Sequence, residues 1–493
     1  MPATTDIRSS RRVAVAAAPH PAEYPSLSSA PFHPGEAYPE WPGTSVAPGG
    51  NAAYAMVRSV LADLGLDHAR FGSADWNPIG DLVRPGASIV VKPNWVMHRN
   101  AGSGGMECLV THPSILRAVL DYVMRAKPAA VVVGDAPLQD CDFDALMSSG
   151  FGAVVDHFQN RGDPVSTADF RRTTLQQDGH ALHVREDLKT RDRYVLADLA
   201  NRSLLEPISA DAARFRVTRY DPRRMRENPL PGLHRYLVAK EVLDADLVVN
   251  LPKLKTHMKA GITASLKNLV GINGNKDYLP HHRKGAATRG GDNYPRFSPL
   301  KAAAEALLDL ANRNLHRTVL ARECNRLVYG LLVLDMKLGG SGNVEGGWYG
   351  NDTVWRMCLD LNRLLIYVDK EGRMGDQPAR TELSITDAIV AGEGEGPLRP
   401  EPHELGLVLG ALNPAASDYV SALLMGLDPR RIPIILEAFR VVDHPIACFA
   451  AEEIECRLNG EAVSEEVLVR RAGGSLKPPS GWRGHCELQS SDA

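Results

Sequence analysis

Long apolar runs are missing from the 493-residue chain: no stretch of about eighteen consecutive hydrophobic residues occurs, so no membrane-spanning helix is expected. Aromatic residues make up only 6%, and the formal net charge is −3. Stacking platforms and a basic footprint are both lacking, which argues against a nucleic-acid partner. The seven cysteines (108, 141, 324, 358, 448, 456 and 486) include no C-x-x-C pair. A structural zinc site and an iron–sulfur cluster therefore have no local motif. The odd, scattered set fits reduced thiols in a cytoplasmic protein. Residues 8–20, RSSRRVAVAAAPH, resemble a twin-arginine export signal, but the apolar run from Val13 to Ala18 is too short for one. We read residues 12–17 as a first strand.

What is present points to an α/β protein. Hydrophobic residues reach 44%, ample for a large core, and the length fits one to three domains. Chemistry is densest over residues 246–277, DLVVNLPKLKTHMKAGITASLKNLVGINGNKD. A buried strand should end near Pro252, which has no N–H for the ladder. A polar loop carrying Lys253, Lys255, His257 and Lys259 follows, then a helix opening near Gly261. Ligands of open α/β sheets sit beyond strand carboxyl ends, and helix-start amides favour anions. Lys267 and Asn268 stand between Leu266 and Leu269-Val270. A lysine half-buried there needs an anion, a metal-bound ligand or a shifted pKa. The plainer reading is a solvated basic loop before a core helix, but strand-to-helix turns are where this architecture carries function.

Further strand ends supply partners. Residues 87–91 form a strand ending at Lys92-Pro93-Asn94, a helix starts at Thr111 or His112 with Pro113 in its first turn, and residues 131–133 form a strand ending at Gly134-Asp135. This β-α-β order implies a parallel sheet with right-handed crossovers. Residues 331–334 read as a strand ending at Asp335, ahead of a glycine-rich loop. Residues 385–391 read as a strand running into a loop that presents Glu393 and Glu395 among three glycines. Helices are expected over 51–66, 142–158, 300–311 and 353–368, and one from Asn413 that includes Asp418. Residues 19–50 read as a covering segment pinned by Tyr24, Phe32, Tyr38 and Trp41, and 174–199 as a hairpin. Residues 278–295 form a basic, glycine-hinged lid with Arg283, Lys284 and Arg289; of its paired histidines, His281 or His282 could join His257. The tail after 472 reads as frayed.

Asn250-Leu251-Pro252-Lys253-Leu254-Lys255-Thr256-His257, followed by Ser265-Leu266-Lys267-Asn268-Leu269-Val270-Gly271, resembles the signature of the DUF362 family. Val91-Lys92-Pro93-Asn94, Thr111-His112-Pro113, Gly134-Asp135-Ala136-Pro137 and Leu427-Asp428-Pro429 resemble its other motifs. His257-x-x-Ala260-Gly261-x5-Lys267, with Gly271 after it, is also similar to the core motif of the lactate racemase family. That resemblance implies a nickel-ligating histidine at 257 and a lysine at 267 anchoring a nickel-pincer nucleotide. The glycine pair of that motif is Ala264-Ser265 in this chain.

The fold expected is α/β: mostly parallel sheet with flanking helices and an inserted, smaller β-containing lobe. Its parts are a covering segment with the first strand (1–50), a first α/β part (51–136), the insertion (137–245), a second α/β part (246–438) and a C-terminal extension (439–493). The candidate catalytic residues are His257, Lys267 and Asp335; the candidate substrate-binding residues are Lys92, Asn94, Lys253, Lys255, Asn268 and Arg289. A divalent metal, if held, would fall to His257, Asp135, Glu393 and Glu395. Lysines mixed with carboxylates suit a small carboxylate- or phosphate-bearing substrate and a general base, with or without a metal. The competing readings are a non-catalytic protein that holds a nucleotide or sugar phosphate, and a lactate-racemase-like nickel enzyme.

Overall fold

Short runs of valine, isoleucine and leucine build one mixed sheet that dominates the computed structural model, which describes residues 6–18, 23–27, 31–178, 181–187, 192–472 and 474–488. Its strands are β1 (Arg12–Ala17), β2 (Ser88–Pro93), β3 (Ala130–Asp135), β4 (Val165–Asp169), β5 (Leu247–Leu251), β6 (Lys253–His257), β7 (Gly261–Thr263), β8 (Thr381–Glu395), β9 (Arg399–Ala411), β10 (Glu455–Leu458) and β11 (Glu461–Val463). The order across the sheet is β11-β10-β1-β9-β8-β5-β2-β3-β4. The five strands β4, β3, β2, β5 and β8 run parallel. β9, the edge strand β11 and the short β7, which pairs with β6, run against their neighbours. The middle strands are buried on both faces and read as unbroken apolar runs, as parallel strands covered by helices should.

Helices cover the faces where the 3.6-residue period places apolar stripes. Asn51 caps Ala52–Asp63 and His112 caps Pro113–Arg125, whose first residue is the expected proline. Val354–Tyr367 is buried along its whole length, and Asn413 caps Pro414–Leu424 by accepting the amides of Ala415 and Ala416. Residues 143–160 are helical with a break at Gly150, which takes a φ of 110°. Within the described part of residues 19–50, Phe32 and Tyr38 are buried. The hairpin expected over 174–199 is two separate pairings. Thr173–Asp178 pairs with Ala181–Glu186, whereas Tyr194–Asp198 pairs with Arg235–Ala239.

Three expectations fail. The segment after Pro252 is not a loop. β6 continues the line of β5 along the long β8, placing Lys253 beside Asp387 and Lys255 beside Gly392. The strand expected at 331–334 is the end of a twenty-residue helix, Thr318–Lys337, paired with Pro299–Arg313. Its buried positions, Ala321, Cys324, Val328 and Asp335, keep helical spacing, and the Leu-Leu-Val-Leu run is apolar around the helix rather than along a strand. Glu393 and Glu395 lie in the ladder that joins β8 to β9, not in a loop.

The tail is not frayed where it is described. Leu476, Trp482 and Cys486 are buried, and the Trp482 indole donates to the Met258 carbonyl at 2.8 Å. The Trp482 ring fills the space beside Gly261, whose φ of 85° makes the turn from β6 to β7. Trp482→Ala is expected to destabilise the protein by about 3–5 kcal/mol in denaturant unfolding. A change within about 0.5 kcal/mol, the size of a surface effect, would contradict this packing.

Candidate functional site

Period two along β6 sends Lys253, Lys255 and His257 to one face of the sheet, all buried. Each meets a different environment. Lys253 is neutralised: its ammonium lies 3.1 Å from Asp387 and donates to the Tyr24 hydroxyl at 2.6 Å. Tyr24 donates in turn to Asp387 at 2.6 Å and stacks on His112, whose backbone amide also donates to Asp387. Lys253 is thus held in a closed cluster of protein groups.

Lys255 has no carboxylate partner. It donates to the Asn94 side-chain oxygen at 2.8 Å and to the Leu109 carbonyl. From Asn94 a chain of amides runs through the core. Asn94 Nδ2 donates to Asn268 at 2.8 Å, Asn268 Nδ2 to Asn250 at 2.7 Å, and Asn250 Nδ2 to Glu382 Oε1 at 2.9 Å. Every carbonyl points back toward the ammonium and every NH2 forward toward the carboxyl, so the dipoles add. Burial, and then the charge of Lys253, pushes the Lys255 amine down to about 7. Burial pushes the Glu382 carboxyl up to about 7.

His257 is fixed by its own turn. The backbone amides of Lys259 and Ala260 both donate to Nδ1 at 3.1 Å. An Nδ1 that accepts puts the proton of a neutral ring on Nε2. Burial, followed by the charges of Lys267, His281, Lys259 and Lys255, holds this imidazole well below the ordinary histidine range. Burial lowers Lys259 to about 8, and it lowers His281 strongly. The Lys267 charge contributes to the lowering of Lys92, Lys255, His257, Lys259 and His281, which places Lys267 among all of them. Among the described residues Lys267 has no hydrogen bond or ion pair, and it is half-buried. Lys276, half-buried nearby, is pushed down to about 8 by burial.

Lys92 and Asp135, at the ends of β2 and β3, form a buried pair at 2.8 Å. The Asp135 oxygens also accept the amides of Trp95 and Ala136. Gly271 makes room for the pair, since a Cβ there would fall 1.7 Å from an Asp135 oxygen. The expected anion at the helix start is supplied by the protein. Asp418 accepts the amides of Ser265 at 2.7 Å and Leu266 at 3.1 Å, and burial pushes its carboxyl up to about 8.

The remaining candidates lie elsewhere. Asp335 sits in the last turn of Thr318–Lys337, bonded to Ser298 at 2.8 Å, and is no strand-end acid. Arg289 is exposed and lies flat on Phe297, 3.3 Å from the ring centroid. The other lid cations, Arg283 and Lys284, pair with Asp292 and Asp309. Glu393 accepts from His403 and the Lys477 amide, and Glu395 accepts from the Ser480 amide. Those two glutamates therefore tie down the tail. Among the described residues no group of three or more His, Cys, Asp or Glu side chains is placed to hold a metal ion. The metal set His257, Asp135, Glu393 and Glu395 does not converge.

A family model described as a domain of unknown function (DUF362) matches residues 89–197 and 196–422, more than half of the chain. The chain belongs to the DUF362 family. A thylakoid-associated protein of Synechocystis sp. is 23% identical over 374 residues, covering 75% of this chain and 72% of that protein. A crystal structure of a Thermotoga maritima protein matches at 10% identity with a TM-score of 0.32, covering 73% of this chain and 57% of that one. The DUF362 match takes in nearly all of β2 and everything from there through β9, and therefore the whole lysine cluster. No helix among the described residues of this DUF362 protein is long and apolar enough to cross a membrane.

Sequence reasoning passed over Glu382, read Tyr24 only as a pin of the covering segment, and gave Asp387 and Asp418 no role in the site. A carboxylate inside an otherwise apolar strand or helix was the available signal, because a buried acid needs a partner. The Lys255 assignment has a pH signature. An amine whose folded pKa is lowered to about 7 binds fewer protons folded than unfolded between about 7 and 10.4. Stability from this group therefore rises with pH across that window. In denaturant titrations the wild type is expected to gain stability relative to Lys255→Met between pH 7 and about 10. Parallel pH profiles would contradict the assignment.

Proposed function

We propose that this DUF362 protein is an enzyme that binds a small carboxylate- or phosphate-bearing substrate among Lys267, His257, Lys259 and Lys276 and performs acid/base chemistry on it. The observation that carries this reading is an uncompensated cluster of cations. Among the described residues Lys255, Lys259, Lys267 and Lys276 have no ion-pair partner, while Lys92 and Lys253 have theirs. Like charges confined at low dielectric repel, and a ligand of opposite sign removes that cost. Lys267 and Lys276, half-buried and without a side-chain hydrogen bond among the described residues, make the first contact. The Nε2–H of His257, neutral across the physiological range, adds a donor.

Lys255 suits the proton-transfer role on geometric grounds. An ammonium has three donors and a neutral amine has two donors and a lone pair. Its two acceptors, Asn94 and Leu109, are satisfied in both states. The third position then carries either a proton to give or a lone pair to receive one, and a pKa near 7 keeps both states populated. A protein that only binds its ligand is the rival reading. It draws support from Asp135, whose oxygens are all engaged with Lys92 and two backbone amides.

The residues do not fit a nickel-pincer group. The Nδ1 lone pair of His257 is taken by two amides and Nε2 carries the proton, so the ring offers no free lone pair to a nickel ion. No step is assigned to such a group. Intact-mass spectrometry of the purified protein should find Lys267 unmodified.

Anion binding is tested by thermal shift with inorganic phosphate and with malonate. The wild-type Tm should rise with either anion, as for any ligand that binds only the folded state. Lys267→Met and His257→Ala should fold normally and bind at least about tenfold more weakly, the loss of one charge-assisted hydrogen bond. An unresponsive wild type, or variants that respond equally, would sink the proposal.

A further inference from the structure

Two imidazoles at the lysine cluster are held in opposite tautomers. His257 accepts two main-chain amides at Nδ1, so its Nε2 carries the hydrogen. At His281 the bond runs the other way. Its Nδ1 lies 2.7 Å from the Leu279 carbonyl, which can only accept, so Nδ1 carries the hydrogen. In the neutral ring Nε2 is then a bare lone pair. Among the described residues no group bonds to either Nε2, and neither atom is sealed from solvent. One ring presents a donor to open space and the other an acceptor.

Hydrogen bonds bring the two rings to one place. Lys259, whose amide bonds His257, sends its ammonium to the Thr218 hydroxyl at 2.8 Å. Two residues before Thr218, the Arg216 carbonyl accepts the His281 amide at 2.8 Å. The His281 carbonyl accepts from the Asn351 side chain at 2.9 Å, so the backbone under this ring is fastened on both sides. The charges of Lys259 and Lys267 bear on both rings, and that of Lys276 bears on His281. Burial and these three ammoniums keep His281 neutral and its lone pair free. An anion among the lysines offsets their charge, which raises the proton affinity of the ring when a substrate is in place. His282 does not share this position. It lines a small separate recess with Glu305 and Asp309, and its Nδ1 is buried without a partner.

We propose that His281 is the base of this site: its Nε2 takes a proton from a C–H or O–H group beside the charged end of the bound anion, while the Nε2–H of His257 donates to the same molecule. The inference rests on the anion reading above and adds the base to it. In the step, the C–H or O–H bond of the substrate breaks and its electron pair stays on the substrate. An N–H bond forms at Nε2, and the ring becomes an imidazolium with a hydrogen on each nitrogen. The added negative charge on the substrate falls among Lys267, Lys276 and the His257 donor. Return of the proton restores the ring. The substrate class is narrowed to a small carboxylate or phosphate with an ionisable hydrogen near its charged group.

Diethyl pyrocarbonate acylates free imidazole lone pairs, and peptide mapping by mass spectrometry reads the product residue by residue. In the wild type His281 should be acylated and His257, whose lone pair is taken, should not. Malonate at ten times its Kd should slow the reaction at His281 about tenfold, the share of sites left free, and leave the exposed His316 unaffected. His281→Asn keeps a donor for the Leu279 carbonyl and lacks Nε2. Its Tm should rise with malonate as the wild type's does. An unreactive His281 would overturn the base, as would acylation of His257 in its place. Malonate that stabilises the wild type without protecting His281 would do the same, as would a malonate response lost in His281→Asn, which would make the ring an anion ligand. Each of those results leaves the anion site standing. A wild type that malonate does not stabilise overturns the anion reading and this inference together.

Discussion

The row of three asparagine amides between Lys255 and Glu382 is the constraint on which the rest of the site depends. It requires β2, β5, β6 and β8 to lie in a fixed register, because its members come from the end of β2, from β5, from β8 and from the short helix Ser265–Asn268. Each amide uses its oxygen on one neighbour and its nitrogen on the next, so a one-residue slip in any strand would break the row and leave buried polar groups unpaired. The row also joins two groups of opposite tendency. A basic group and an acidic group, both buried and both shifted toward neutrality, are held at opposite ends of aligned dipoles.

Around that row the protein sorts its buried cations into two kinds. Lys92 and Lys253 sit against Asp135 and Asp387, each acid held further by backbone amides or a tyrosine hydroxyl, and both pairs work as fasteners. Lys255, Lys259, Lys267 and Lys276 are left with neutral partners or none. Arginine would not substitute at these places, since it cannot shed its charge in a dry setting.

Much of the frame was legible in the sequence. Proline and asparagine marked strand and helix ends at Pro93, His112-Pro113, Pro252 and Asn413, because those residues act through local backbone chemistry. The concentration of lysines in 253–267 was legible as a place, and the histidine beside them as part of it. The partners were not legible. Asp387, Asp418 and Tyr24 reach the cluster from more than a hundred residues away, and no local pattern ties them to it. Lys253 and Lys255 are indistinguishable in the sequence, two positions apart on one strand face. Only the distant Asp387 separates a fastener from a candidate acid. Residues 318–337 misled for another reason: a helix apolar on two sides carries no clean period, so its last leucines passed for a strand.

Leu251 stands opposite Pro93 at the final register of β5 against β2, and Pro252 follows at once. Two five-membered rings without N–H groups close that ladder from both sides. Beyond them the strands must part, and the chain of Asn94 turns toward Thr111 while β6 follows β8. The parting of the strands is thus set by imino-acid chemistry in the main chain, before any lysine is chosen. Exchange of the surrounding side chains can retune the chemistry gathered at that fork while its address in the fold stays put.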